Sequence, residues 1–486
     1  MNMKNIIKSA LIGLAALSLA SCGDSFFEQY PANTVTEGNY YKTDDDFNQG
    51  VYCCYDKLKT QMGFFINELA YRSDECELTA MAVSTQDRYD LDHFQERSNN
   101  AILSNIWNAW YNGIYRCNDV LDHMAGKTLA NGDKYRGECL FMRSWWYFSL
   151  YRVFGVVPVT RTVVTPVQAK TIPRCTDEEM YNLLVEDLKE AIDLLPAKRS
   201  AEVARVTKIA AQALLGKVYL TFGKYAEAQT VLEDAMKDTN FGLMATTGAA
   251  FDVANKMNKE ILFAIYYNKT NDNGHGYWHS TNIADPKLRP NPTGVFKSVY
   301  SADDNRYALI GEYQEITPGK LYAINKYMDT YDATYTTLVG NDFPFLRYAD
   351  VVLMYAEALG QQGNISEALT YLNKTRTRAG LPELTEAEVS GKDAFIKELA
   401  DDQQRRVAGI VVDVFQAQLC HGTAAVAQNF ALVAVVTQGV LQQAELGNGH
   451  VGDEDGVGLF HLRGKFGIMI FHRFLLCCFL IKSLFA

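Results

Sequence analysis

Hydrophobic residues fall at helical intervals along most of the chain. The clearest run is FPFLRYADVVLMYAEALGQQGNISEALTYLNKTRTRAGLP, residues 343–382. Tyr348, Val352, Tyr355 and Leu359 share one face, Gly360 and Gly363 interrupt the pattern, and Ile365, Leu369 and Leu372 begin a second face. This predicts a helical hairpin in which the small residues Ala356 and Ala368 let two helix axes approach closely. An earlier stretch, QALLGKVYLTFGKYAEAQTVLEDAM, repeats the arrangement, with Gly216 and Ala228 at the same offset. Leu215, Gly216, Tyr219, Ala228, Leu232 and Ala235 approximate the small/large pattern of a tetratricopeptide repeat, although Gln212 stands where that repeat has an early Trp. Gly223 and Gly363 lie far more than one repeat of about 34 residues apart. The two hairpins are therefore expected not to form a tandem array, with something else inserted between them.

The same periodicity predicts further helices over Ile106–Met124, Tyr135–Phe154 and Glu178–Leu195, the last closed by Pro196. A helix also starts after Thr43, with Asp44, Asp45 and Asp46 in its first turn, where carboxylates complement the helix N-terminus, and Phe47, Val51, Tyr55 and Leu58 on its apolar face. Phe141, Trp145, Trp146, Tyr147, Phe148 and Tyr151 load one helix so heavily with rings that it must be largely buried, which makes Trp145 and Trp146 core residues before ligand-stacking ones. Between Asn67 and Asn105 the period fades into polar residues mixed with Tyr71, Arg72, Asp74, Tyr89, His93 and Phe94, which reads as long surface loops. From about 241 to 342, short β-prone runs such as Ile261–Tyr267 alternate with NDNGHGYWHS and DPKLRPNPTG, which reads as a loop-rich insertion. The expected fold class is mostly α: tetratricopeptide-like helical hairpins forming a scaffold, with irregular loop-rich insertions and little β.

Composition narrows the function classes. Of 486 residues, 48% are hydrophobic and 21% charged, which suits a globular chain with a sizeable core, while a net charge of −11 disfavours a nucleic-acid surface. Residues 1–21 read as an export signal: Lys4 and Lys8, a short apolar run from Ala10 to Leu19, then Leu19-Ala20-Ser21-Cys22, which resembles a bacterial lipobox. Cleavage before Cys22 would expose its thiol for lipidation, anchoring the chain with no spanning helix; an ordinary secretory signal is the alternative. Residues 22–42 then form an extended tether. The ten cysteines show no CxxC spacing or Cys/His cluster, so no metal site or disulfide framework is indicated, and most are expected to be buried, unpaired thiols.

LRYADVVLMYAEAL followed by ALTYLNKTRTRAGLP resembles the signature of the SusD/RagB family, outer-membrane glycan-binding lipoproteins of Bacteroidetes. CGDSFFEQYP, WNAWYNGIYRCNDVLD, GECLFMRSWWYFSLYRVFGVVPV and PNPTGVFKSVYSADDNRY extend the resemblance over nearly all of residues 1–400. It implies a helical scaffold that captures oligo- or polysaccharide at the cell surface. The implied partner is a SusC-like, TonB-dependent outer-membrane transporter, for which the chain acts as a lid. A helical-repeat scaffold that binds a peptide or protein is the alternative.

Chemistry is sparse. HExxH, GxSxG and GxGxxG are absent, and Gly126-Lys127-Thr128 lacks the first glycine of a phosphate loop and reads as a helix-end turn. Asp303 and Asp304 are adjacent carboxylates in a turn-like stretch, an arrangement that does not imply the two-sided geometry of glycoside hydrolysis. An enzyme is not expected, and no cofactor is indicated. Sugar recognition needs rings for stacking and planar polar groups for hydroxyls. Tyr277, Trp278 and His279 offer this in the insertion, and Arg72, Asp74 and Tyr89 offer it in the earlier loops; for each residue alone, ordinary loop packing is the competing reading. Residues 401–486 form an atypical tail. From about Gln403 the charged stretch and Arg-Trp-x-Asp-Leu motif of the family do not appear, no Tyr follows Tyr371, and the chain ends in the apolar FGIMIFHRFLLCCFLIKSLFA. A change of reading frame or a truncation is the simplest account.

Overall fold

The structure is a computed structural model that describes residues 40–59, 69–72, 76–77, 86–200, 204–267, 291–292, 300–314, 320–324 and 340–407. Cys22, Asp74, Tyr277, Trp278, His279 and the tail beyond residue 407 lie outside the described residues.

Helix α1 (Asp44–Asp56) starts as its acidic first turn predicts. Thr43 and Asp46 form a reciprocal capping box, and Asp44 reaches across to accept hydrogen bonds from the Asn131 backbone at 3.0 Å and the Tyr135 hydroxyl at 2.8 Å. The region read as loops before Asn105 contains a short helix, α2 (Gln86–Asp92), and α3 (Ala101–Met124) begins earlier than its apolar period suggests. Asn100 explains the earlier start, because its buried Oδ1 accepts from the Ile102 and Leu103 amides and fixes the N-terminus. Helix α4 (Gly132–Phe154) stops at Gly155, whose φ of 69° suits glycine. Gly126, at φ 73°, closes the turn after α3.

Besides a single turn at Pro166–Ala169, the remaining α-helices among the described residues are α5 (Asp177–Leu194), α6 (Lys208–Thr221), α7 (Tyr225–Met236), α8 (Tyr348–Gln361), α9 (Ile365–Arg378) and α10 (Lys392–Val407). From α3 to α9 each helix packs on the next. The order includes α7 on α8, although more than a hundred residues separate them in sequence. As expected, the hairpins are not a tandem array in sequence and an insertion separates them, yet they are consecutive layers of one stack, the insertion leaving and re-entering where α7 packs on α8. Gly216 serves as predicted, since a Cβ there would lie 2.5 Å from the Leu232 side chain. Gly360 does not break its helix. It sits inside α8, where the missing Cβ makes room for the Phe395 ring of α10. The turn is left to Gly363, at φ 87°.

The aromatic helix α4 is the centre of the core, with Trp146, Tyr147, Phe141 and Phe148 all fully buried. It is covered on every side. Helices α1, α3 and α5 pack around it, Gly113 of α3 leaves space for the Trp146 indole, and a two-stranded ribbon closes the remaining face. That ribbon pairs β2 (Ile261–Ile265) antiparallel with β6 (Phe343–Arg347), Ile265 opposite Phe343, and both strands are buried throughout. Phe263 meets Phe141 edge-on at 4.9 Å and Phe345 lies 4.9 Å from Trp145. The insertion is therefore rooted in the core by its two ends, one strand from each.

Several charged groups inside this core are paired. Arg143 of α4 makes a two-bond contact with Asp187 of α5 at 2.7 and 2.9 Å and donates to Asn118 of α3 at 2.9 Å. Asp304, one of the two adjacent carboxylates read as turn-like, is buried and holds Arg306 at 2.8 Å. Arg306 also reaches Asp402 of α10 at 3.0 Å, and Asp402 accepts from Thr375 of α9 at 2.8 Å. Among the described residues the cysteines are unpaired: Cys54, Cys117 and Cys139 are buried, Cys175 is intermediate and Cys53 is exposed.

Candidate functional site

Two loop regions, read separately in the sequence, are joined by one pairing. Strand β1 (Cys76–Glu77), in the loops between α1 and α2, pairs antiparallel with β3 (Asn291–Pro292) of the insertion, Cys76 opposite Pro292 and Glu77 opposite Asn291. Strand β3 in turn contacts β5 (Lys320–Ile324), which forms a hairpin with β4 (Ile310–Gln314). The short 3₁₀ turn Leu69–Arg72 lies against both β1 and α2. One platform thus draws on chain segments about two hundred residues apart.

Arg72 and Tyr89 are the two predicted ligand residues that fall on described positions, and they occupy neighbouring elements of this platform. Arg72 Nε lies 3.1 Å from Glu96 Oε1, and both side chains are largely buried. Burial lowers the guanidinium's pKa from its ordinary value and Glu96 opposes that shift. Arg72 therefore ties the turn to the segment after α2. Tyr89 packs against the buried Leu91 and stacks on His93 one helical turn later, with ring centroids 3.7 Å apart. His93 Nδ1 lies 2.9 Å from the Tyr89 carbonyl oxygen and 3.3 Å from Asp92 Oδ2, which fixes the imidazole edge-in.

The next residue is the one that sequence reasoning named without selecting. Phe94 is 60% exposed, the most exposed aromatic among the described residues, and its φ is 55°. Gln95 N–H donates to the Asp90 carbonyl at 2.8 Å and Phe94 N–H to the Leu91 carbonyl at 3.4 Å, the paired bonds of a Schellman helix end. Glycine is the residue this position favours; any other residue there costs about 1–2 kcal/mol. Phe94 bears that cost and leaves its ring in water, so neither local conformation nor packing accounts for it. Strain of this kind at an exposed ring points to a ligand. The signal was hidden in the sequence because α2 was not recognised as a helix, so its end could not be either.

The insertion adds Tyr307, 39% exposed, whose ring lies 6.0 Å from that of Tyr300, and Tyr266, 37% exposed, beneath the Lys256 ammonium. Elsewhere, a cleft of about 300 Å³ beside α9 is lined by Ser366, Leu369, Thr370, Asn373, Glu383, Leu384 and Glu386. It holds no ring and so lacks the means to stack a sugar. Among the described residues, no group of three or more His, Cys, Asp or Glu is placed to hold a metal ion.

Known proteins share this architecture. Residues 24–220 match the profile of a SusD-like family described as starch-binding and associating with the outer membrane, and residues 311–407 match the profile of the SusD family. The SusD-like protein P38 of Formosa agariphila is 23% identical over 427 residues, spanning 78% of this chain and 83% of its own. Among solved structures, a SusD superfamily protein from Bacteroides vulgatus aligns with a TM-score of 0.66 at 22% identity, covering 78% of this chain and 88% of that one. A protein described as a laminarin-binding SusD-like protein aligns with a TM-score of 0.66 at 20% identity, over 80% and 94% of the two chains. The two matched profiles together span more than half the sequence, the first ending within α6 and the second beginning inside the insertion and running to the end of α10, and the helical stack is the one its solved relatives share; this chain belongs to the SusD/RagB family.

Proposed function

We propose that this chain is a lipid-anchored, cell-surface glycan-binding protein that captures oligo- or polysaccharide on the β1/β3 platform and delivers it to a TonB-dependent outer-membrane transporter, without altering the glycan chemically. The observation that carries the reading is Phe94, an exposed ring held in a costly backbone conformation at the end of α2. Sugar rings present flat apolar faces that such a ring can cover. Family membership supports the outer-membrane setting and the transporter partner, and the laminarin-binding relative supports a glycan ligand. Engagement of Asp304 by Arg306 supports the non-enzymatic reading, because a carboxylate held this way is poorly suited to protonate or attack a glycoside.

Phe94 gives the test two opposing readouts. Phe94→Gly relieves the backbone strain and should raise stability by about 1 kcal/mol, whereas glycan binding should weaken by about 1–3 kcal/mol, taking ring stacking on nucleobases as the scale. Calorimetric titration with a panel of polysaccharides, beside thermal melting of the same two proteins, reads both quantities. Unchanged affinity would place the site elsewhere. The anchor is tested separately: Cys22→Ala should abolish incorporation of a labelled fatty acid and release the protein from the membrane, and equal labelling of variant and parent would remove lipidation from the proposal.

A further inference from the structure

The loop between α4 and α5 is held firmly by the helices beneath it. An antiparallel bridge joins Pro158 to Arg174, and Cys175 N–H donates to the Val157 carbonyl at 3.0 Å, so the two ends of the loop are pinned together. Side chains of α3 and α4 fix the backbone of its first half. Arg143 donates to the Arg161 carbonyl at 2.9 Å, Asn118 to the Thr162 carbonyl at 3.1 Å and Tyr147 to the Thr160 carbonyl at 2.8 Å. Asp122 accepts from the Val163 amide at 2.7 Å. At the tip, Thr165 and Gln168 close a reciprocal capping box on the single turn Pro166–Ala169.

This frame presents apolar and cationic side chains to solvent. Val167 is 76% exposed, the most exposed large hydrophobic side chain among the described residues, Val163 is 39% exposed, and Pro166 and Ala169 are exposed beside them. An ordered apolar tip of this kind marks a contact surface. Residues 160–175 include Arg161, Lys170 and Arg174 and no acidic residue, on a chain of net charge −11. Arg161 is paired with Glu186 at 2.6 Å, whereas Lys170 and Arg174 are exposed and make no ion pair among the described residues. The loop also carries no aromatic residue, so it can neither stack a sugar nor offer the ring anchors that dominate protein interfaces.

The N-terminal chain joins the body at the same end of α3. Tyr41 is buried there at φ 46°, its hydroxyl donating to Asp119 at 2.7 Å and its ring stacked on His123 at 4.5 Å. Asp119 and Asp122 are neighbours on the helix surface, with about 5–6 Å between their Cβ atoms. One holds Tyr41 and the other holds Val163. A tether leading back from Tyr41 to a lipid on Cys22 therefore attaches beside the loop.

We propose that the 158–175 loop is a membrane-contact element, in which Val163, Pro166 and Val167 enter the headgroup layer of the outer membrane while Lys170 and Arg174 meet anionic lipid headgroups. Apolar surface flanked by basic residues is the chemistry that binds such an interface, and two attachments hold more stably than one. The loop thus fixes which end of the helical stack faces the bilayer. The membrane-anchored reading of the chain supplies the position of the tether; the chemistry of the loop stands apart from it.

The test removes the acyl chain so that the loop alone is read. The mature chain carrying Cys22→Ala is sedimented with vesicles of phosphatidylcholine, and of phosphatidylcholine with phosphatidylglycerol. It should favour the anionic vesicles, and lose affinity on passing from about 0.1 to about 1 M sodium chloride. Val167→Asp should weaken that binding about tenfold, and Lys170→Gln and Arg174→Gln about fivefold each, with thermal melting unchanged because all three side chains are exposed. Failure of the parent to bind, or equal binding by the parent and all three variants, would overturn the proposal. So would retained vesicle binding in a Val167→Asp protein that no longer co-purifies with the transporter, an outcome that makes the loop a protein dock. Absent fatty-acid labelling of the chain with Cys22 intact would remove the lipid anchor and leave the vesicle result standing.

Discussion

Single side chains in this molecule show where burial and ionisation are in tension. Glu357 of α8 is buried against α6 and α10, and its carboxyl is pushed up to about 7, first by desolvation, with Gln403 and Lys217 opposing the rise. A carboxyl whose folded pKa exceeds its unfolded value binds the extra proton in the folded state. The folded protein should therefore lose stability as pH rises from about 4.5 to about 7, by up to about 3 kcal/mol, and change little from this cause above that range. Glu357→Gln cannot titrate, so urea unfolding at pH 5 and at pH 7.5 should show a smaller difference in the variant than in the parent. An equal pH dependence would mean that Glu357 is hydrated in the folded state. Phe94 and Asp304 carry the same lesson at this scale. Each was visible as a residue type, but Phe94 acquires significance only through its φ angle, and Asp304 through the Arg306 pair that buries it.

Helices and their crossings were the more legible level. Periodic apolar positions located α3 to α9 to within a few residues, because a helix that buries one face writes its period into the sequence. Gly216 and Ala228 marked a close crossing correctly. Placing a methyl at Gly216 drives it into Leu232, at 2.5 Å, so Gly216→Ala should lower stability by about 1–2 kcal/mol, overpacking outweighing the helix propensity gained. Gly132→Ala supplies the control, since a Cβ there meets nothing closer than 3.4 Å; denaturant midpoints of the two variants should separate accordingly. Gly360 was misread as a helix end because sequence shows that a side chain is missing but not what fills the space, in this case Phe395. Helix α2 and the two-residue strands β1 and β3 were missed for a related reason: they are too short to repeat a period, and their partners are distant in the chain.

Across the whole molecule, the insertion is fastened at more than its roots. Arg306 belongs to the insertion, Thr375 to α9 and Asp402 to α10, and all three are buried where they meet. Asp402→Ala would leave the guanidinium short of one carboxylate and the threonine hydroxyl without its acceptor. Stability should fall by about 3 kcal/mol, measured by chemical unfolding, the scale expected when one member of a buried ionic cluster is removed. The same contact bears on the end of the family-like region. The sequence resembles the family's helix through AFIKELADDQQRR and departs from its pattern at about Gln403; Gln403 is buried, α10 runs to Val407 and the family profile matches to residue 407.

The packing of α7 on α8 has a consequence for how the chain reaches this state. Stacked helical repeats ordinarily fold by adding neighbours, each new layer closing a turn of a few residues. At this one interface the closing loop is more than a hundred residues long, which adds about 3 kcal/mol of chain entropy relative to an ordinary hairpin turn. Contact order is therefore uneven along the stack: low from α3 to α7 and from α8 to α10, high at the seam between them. The two blocks are natural foldons, and the β2/β6 ribbon, which needs strands from both sides of the insertion, forms only as they meet. The β1/β3 platform, built across the same insertion, is then among the last parts of the protein to assemble.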